Sequence, residues 1–101
     1  DMVGTGSKGI VVVNATLFKK QFSKLEKINR QNEYLARVTP RGESCNRDHC
    51  PFSTHGVPSF FIYTTGDEYS EYHSPADLPE RVPLTKYNEV FKLLRDYIQT
   101  Y

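Results

Sequence analysis

Two stretches of the chain gather side chains that could hold a metal or move a proton. The first is Cys45-Asn46-Arg47-Asp48-His49-Cys50, and the second is Tyr72-His73 with Asp77 shortly after. An imidazole beside a carboxylate suits metal ligation or acid–base work, because histidine changes charge near neutral pH and a neighbouring acceptor fixes its tautomer. Each feature also has a plainer reading. A loop histidine can simply be solvated, Asp48-His49 can be a turn held by its own hydrogen bonds, and Tyr72 can be a packing aromatic. Cys45 and Cys50 admit three readings: two free thiols, one bridge closing a short loop, or a metal site shared with His49. The metal reading meets a geometric obstacle, since adjacent His49 and Cys50 cannot easily both face one tetrahedral ion and no fourth ligand is near.

These residues must be positioned by the segments between them. Gly9 to Asn14 is a continuous β-branched run, which predicts a strand buried on both faces and therefore helices against the sheet. Thr16 is placed to cap a helix whose apolar residues Phe18, Phe22, Leu25 and Ile28 share one face, leaving Lys19, Lys20, Lys24 and Lys27 on the solvated side. Tyr34 to Thr39 alternates as an edge strand would, with Pro40 as its stop. Residues 41 to 58 read as irregular apart from one helical turn at Pro51 to His55, closed by Gly56. Ser59 to Tyr63 predicts a second buried strand that empties into a long loop from Thr64 to Pro83. A last helix runs from a cap at Thr85 to about Thr100, with Tyr87, Val90, Phe91, Leu94, Tyr97 and Ile98 as its buried stripe. Such an order predicts an α/β layer structure with functional loops leaving the strand ends.

Bulk properties exclude several classes. At 101 residues the chain is the size of one domain, and its longest apolar runs, Ile10 to Val13 and Phe60 to Tyr63, are far too short for a membrane span. Thirteen basic residues against twelve acidic give a net charge of +1, too weak a field to argue for nucleic acid or anionic lipid.

Order and spacing now carry a resemblance. The string Asp48-His49-Cys50-Pro51-Phe52, then Gly56-Val57-Pro58 entering an aromatic strand, then Tyr72-His73-Ser74-Pro75-Ala76-Asp77-Leu78-Pro79-Glu80, resembles the two-zinc exopeptidases. That family includes the bacterial leucyl aminopeptidases and their relatives glutamate carboxypeptidase and glutaminyl cyclase. The opening Asp1-Met2-Val3-Gly4 also resembles the family's Asp-Met-[Val/Ile]-Gly, so the likeness covers nearly the whole chain. Arg47 stands where the family has a small residue, and Leu78 where it has threonine. A guanidinium at position 47 could bind a substrate carboxylate or pair with an acid.

The resemblance implies a partial zinc-exopeptidase three-layer sandwich, a mixed sheet flanked by helices. It maps Asp1 onto a ligand of one zinc ion and His73 onto a ligand of the other. It maps Tyr72 onto a phenol that hydrogen-bonds the substrate carbonyl oxygen as it becomes an oxyanion, and Asp48 and His49, beside Arg47, onto the border of the substrate site. Two cations ~3.5 to 4 Å apart polarise a carbonyl and make hydroxide available near neutral pH. Some relatives carry a disulfide just ahead of the Asp-His pair, which favours a Cys45–Cys50 bridge.

In that family the first histidine ligand, the bridging aspartate, the general-base glutamate and its neighbouring glutamate ligand precede the Asp-Met-Val-Gly motif. The expectation is therefore that residues 1–101 are the C-terminal portion of one zinc-peptidase domain whose N-terminal part is absent. By itself the chain would be inactive and bind zinc weakly. The intact enzyme would use two zinc ions to hydrolyse N-terminal residues from peptides. A receptor-like binding module on the same scaffold, or a related carboxypeptidase or glutaminyl cyclase, are the alternatives. The resemblance favours a periplasmic or secreted setting. A sheet cut open at the Ile10 to Val13 and Ser59 to Tyr63 strands would expose apolar surface to the missing part, or to a second copy by self-association.

Overall fold

A computed structural model of the chain describes residue 3, residues 5–66 and residues 84–100. The β-branched run forms strand β1 (Gly9–Val13) at the centre of a three-stranded mixed sheet. Helix α1 (Lys19–Asn32) carries the chain back to strand β2 (Val38–Pro40), which lies parallel to β1 with Ile10 opposite Val38 and Val12 opposite Pro40. After the short helix α2 (Cys50–Thr54), strand β3 (Phe61–Thr65) returns antiparallel on the other side of β1. Its register sets Gly9 opposite Thr65 and Val13 opposite Phe61. Helix α3 (Tyr87–Gln99) completes the described α/β fold.

Side chains alternate across a strand, so the sheet has two distinct faces. Ile10 and Val12 of β1 join Val38 and half-buried Ile62 against Phe22, Leu25 and Ile28 of α1 and Val90 and Leu93 of α3. Complete burial of a side chain of this size contributes about 1.5–3 kcal/mol, and Ile10, Val12, Leu25 and Leu93 are among those completely enclosed. Both long helices thus cover one face and pack on each other. Of the three layers implied by the resemblance, the described residues form two, a sheet and the helices on it. The opposite face carries Val11, Val13, Phe61 and Tyr63 under the loop that contains Asp48 and His49.

Several local expectations are corrected. Thr16 does not cap α1; Phe18 holds that position without a side-chain bond, and the helix is entered through the Asn14 carbonyl, which accepts from the amides of Leu17 and Phe18 at 3.1 and 3.0 Å. Thr85 likewise gives way to Lys86 at the start of α3. Tyr34 to Arg37 is not a strand, because the end of α1 claims it. Glu33 is left-handed and donates to the Asn29 carbonyl, while the Asn29 amide accepts from Leu35 N at 2.9 Å and donates to Leu35 O at 3.1 Å. That clamp drives Leu35 into the core and leaves just Val38–Pro40 to pair. Pro40 is the last strand residue rather than a stop before it, and Arg41 supplies the amide to Val12 O. Strand β3 runs Phe61–Thr65, two residues later than predicted, and is half-buried along most of its length.

The stripe predicted on α3 is rotated. Val90 and the unpredicted Leu93 are buried, Leu94 and Tyr97 pack at the margin, and Tyr87, Phe91 and Ile98 remain 50%, 58% and 69% exposed. Apolar residues cover more than one face of this helix, and its neighbours among the described residues cover one.

Two contacts fix the segment that links α1 to β2, one against β1 and one against α3. Gly9 has φ +96, and a Cβ there would be driven into the main chain of Arg37, whose N and C atoms lie 2.8 Å from the position it would take. Tyr34 donates a 2.6 Å hydrogen bond to the Asp96 carboxylate, tying the turn after α1 to α3. This bond holds the Tyr34 phenol above its ordinary pKa and the Asp96 carboxyl below its own, with Arg95 adding to the latter.

Gly9→Ala is therefore expected to cost about 3 kcal/mol. Gly56→Ala, also at positive φ but with nothing within 4 Å, should cost only about 1 kcal/mol. Urea midpoints at unchanged slope check the difference. For the tyrosine–aspartate pair the depressed Asp96 value contributes stability above the unfolded carboxyl pKa that is lost as pH falls through the folded one. The raised Tyr34 value contributes stability below about pH 10 that is lost as pH rises through the folded value. Denaturation curves of Tyr34→Phe and the parent should converge at both extremes and differ most between about pH 5 and 9.

Candidate functional site

The site is assembled at the end of β1, where the chain must turn out of the sheet. Asn14 adopts φ 70, a left-handed conformation that asparagine tolerates better than most residues. Its side chain is fully enclosed and uses both ends of its amide. Oδ1 accepts from the amide of Ser44 at 3.0 Å, and Nδ2 donates to Ser53 Oγ at 3.3 Å and to the Ser59 carbonyl at 3.4 Å. One residue thereby ties together the loop before the Asp-His turn, helix α2 behind it and the approach to β3.

The turn itself is closed covalently. Cys45 and Cys50 are joined in a disulfide with Cα atoms 4.7 Å apart, so neither presents a thiolate to a metal. Inside it the Cys50 amide bonds the Arg47 carbonyl at 3.1 Å, and α2 begins with Pro51 in its first turn, where a missing N–H costs no helix bond. Gly56, at φ +80, ends α2.

His49 points inward and is 5% exposed. Its Nε2 donates to the Ser44 carbonyl at 2.6 Å; a carbonyl only accepts, so the proton sits on Nε2. Nδ1 is buried and has no partner among the described residues. The ring lies against Phe61, centroids 5.9 Å apart, and the His49 carbonyl accepts from Ser59 Oγ at 3.1 Å. Arg47 and Asp48, by contrast, are exposed. The Arg47 guanidinium lies 5.5 Å from the centre of the Phe61 ring, and Phe61 is followed on the same face by Tyr63 at 6.0 Å. Arg41 Nη1 donates to the Tyr63 hydroxyl at 3.1 Å.

The residues singled out in sequence thus fall into two groups. Arg47, Asp48, His49, Cys45 and Cys50 form one turn on the outer face of the sheet. Asp1, Tyr72, His73 and Asp77 lie outside the described residues. The nearest described segments on either side of this second group meet at the other end of the sheet: Thr5 N and Oγ1 lie 3.3 and 3.1 Å from Thr64 Oγ1, and the Lys8 amide donates to Thr65 O. Among the described residues no group of three or more His, Cys, Asp or Glu could hold a metal ion. With the cysteines joined and His49 turned onto a carbonyl, the described part of the chain does not fit zinc.

The sequence marks Asn14 as the end of the β-branched run and Ser59 as the start of a strand, and leaves the bonding role of both, and of Ser44, unassigned. Asn14 had a usable signal, an asparagine directly after a buried β-branched run and before a helix, where a left-handed turn is commonly needed. The serines had none.

The described residues thus form an α/β fold with a polar turn braced against the outer face of a mixed sheet. No helix of the described residues is long and apolar enough to cross a membrane. The sequence model of peptidase family M28 matches residues 1–98, and the chain belongs to that family. No curated protein and no solved structure matches it.

Asn14→Ala removes three side-chain hydrogen bonds and forces alanine into a left-handed turn, for an expected loss of about 3 kcal/mol. Asn14→Gly relieves the backbone but still loses the bonds, so it should recover about 1 kcal/mol of that. Amide exchange at Ser44 should accelerate equally in both, which a purely backbone role for Asn14 does not predict.

Proposed function

We propose that this chain is the C-terminal part of a zinc-dependent aminopeptidase domain that releases N-terminal residues from peptides. The observation that carries this reading is the M28 match along residues 1–98, which takes in both the Asp48-His49 turn and the Tyr72-His73 motif. Two zinc ions belong to the proposal, with Asp1 and His73 among their ligands and the rest supplied by residues preceding Asp1. Tyr72 donates its phenolic proton in a hydrogen bond to the carbonyl oxygen as charge develops there, the moment at which a fixed donor lowers the barrier most. Arg47 and Asp48 meet the substrate. His49 acts through them: its ring, packed on Phe61 and bonded to Ser44, sets the turn that presents its two exposed neighbours. The Cys45–Cys50 disulfide supports a periplasmic or secreted setting, where such bonds persist.

The 101-residue chain, assayed with an aminoacyl chromogenic substrate at saturating zinc, is expected to show no turnover. Turnover that survived repurification and vanished in His73→Ala would place the whole active site within these residues and overturn the proposal of a missing part. With the preceding part of the domain restored, Tyr72→Phe should lower kcat by about 10² to 10³ at unchanged zinc content and little-changed KM. His73→Ala should lose metal and rate together. Full zinc with unchanged kcat in Tyr72→Phe would remove Tyr72 from the catalytic residues.

A further inference from the structure

We propose that Arg41 and Arg47, seated on the aromatic row of Phe61 and Tyr63, form a subsite for a carboxylate of a peptide ligand. The inference rests on the reading of the chain as part of a peptidase, and it adds the chemistry by which that peptide is selected.

Phe61 and Tyr63 alternate along β3 and so project from the same face, with ring centres 6.0 Å apart at 42°. Each ring holds one arginine. The Arg47 guanidinium carbon stands 5.5 Å from the Phe61 centroid, within cation–π range, and Arg41 Nη1 donates to the Tyr63 hydroxyl at 3.1 Å. Both modes leave donors free. A guanidinium over a ring engages through its flat face and keeps its N–H groups for an acceptor at its edge, and Arg41 spends one of five donors on Tyr63.

The two cations are also unneutralised among the described residues. Among the described residues Arg30 pairs with Glu26 and Arg95 with Asp96, but neither Arg41 nor Arg47 has a carboxylate within ion-pair distance. This is so although Glu43 and Asp48 are close to them in the chain and exposed. Among the described residues, aromatic side chains rather than acids hold these guanidiniums.

Preorganisation strengthens the case. The backbone of Arg41 is anchored by its amide on Val12 O at 3.0 Å, and that of Arg47 by the Cys50 amide inside the disulfide loop. Phe61 and Tyr63 are half-buried and give an apolar floor between the two cations. A carboxylate matches the guanidinium fork geometrically as well as in charge. A polyanion such as nucleic acid is disfavoured, since two guanidiniums on a chain of net charge +1 make no basic track.

The test is an NMR titration of the chain, following the Nε–Hε signals of Arg41 and Arg47, with acetyl-Ala-Ala-Ala as the free acid and as the amide. Acetyl-Ala-Asp-Ala-amide is then compared with its Asn counterpart. The expected result is that carboxylate-bearing peptides shift both arginine signals and bind about tenfold more tightly than the neutral ones. Binding of the free acid assigns the carboxylate to a peptide C-terminus, and binding of the Asp peptide assigns it to an acidic side chain; either supports the subsite. Arg41→Gln and Arg47→Gln should each remove most of the tenfold preference, with Arg47→Lys restoring part of it. Tyr63→Phe should weaken Arg41's share alone, as befits a positioning residue. Equal affinity for acid and amide together with equal affinity for Asp and Asn would overturn the proposal. So would inorganic phosphate or a short oligonucleotide binding as tightly as the peptides. The readout needs no turnover: peptidase activity in the restored domain without carboxylate preference sinks the subsite and leaves the enzyme reading intact, and carboxylate binding without peptidase activity does the reverse.

Discussion

The polar turn on the outer face of the sheet is tied to it through the Asn14 side chain. A strand that ends in a buried position must hand its chain to a helix without leaving amides or carbonyls unpaired in the interior. Asn14 does this by adopting a left-handed turn, offering its carbonyl to two amides of the next segment and its own amide to three partners far apart in sequence. Aspartate could accept from Ser44 but could not donate to Ser53 and Ser59, and serine could not reach all three. Asparagine is the residue whose short amide supplies a donor and an acceptor and whose backbone accepts positive φ at modest cost.

From that anchor the polar turn can be laid against the sheet. Burying a histidine beside an aromatic strand would be costly if its ring nitrogens competed for water, and here one is satisfied by Ser44 while Nδ1 is not. An unpaired buried polar atom costs about 1–3 kcal/mol. Ring packing on Phe61 and the covalent closure at Cys45–Cys50 offset it, the latter contributing about 2 kcal/mol in the loop-entropy view. The result is a wall with its titratable ring inside and its permanent charges, Arg47 and Asp48, outside. At this turn the exposed groups are therefore the flanking charges, with the imidazole packed behind them.

How far the sequence could be read follows from which constraints are local. The β1 run, the α1 stripe and the single turn at Pro51 are set by period, branching and proline, and they were legible. The face of α3 was not, because Tyr87, Val90, Phe91, Leu94, Tyr97 and Ile98 span more of the helix than one neighbour can cover. Periodicity gives the spacing of apolar residues without saying which of them meets the sheet. The Tyr34 to Thr39 pattern misled for a different reason. Its alternation is compatible with a strand, but the Asn29 side chain, close by through the helix end, bonds Leu35 first and removes its backbone from the sheet. At the site, motif order located the Asp48-His49 turn, yet the inward direction of His49 depends on Ser44 and Phe61, contacts that no local pattern encodes.

The antiparallel course of β3 decides which end of the sheet the chain leaves by after Thr65. Crevices in α/β sheets form outside the carboxyl ends of parallel strands, and β1 and β2 both end beside Asn14, where the Asp48-His49 turn stands. Strand β3 starts there at Phe61 and ends at Thr65 opposite Gly9, so the chain departs toward Tyr72 from the far end, next to Thr5. Five residues of strand span roughly 17 Å. Phe61 is at the turn, Tyr63 midway and Thr65 at the far end, so the outer face of β3 runs from the turn to the end nearest Thr5. An extended peptide lying along that face would have its length measured against the strand itself. Arg47 and Arg41 lie on the first two of those three positions, so the pleat of β3 sets the spacing of the two rings that hold them.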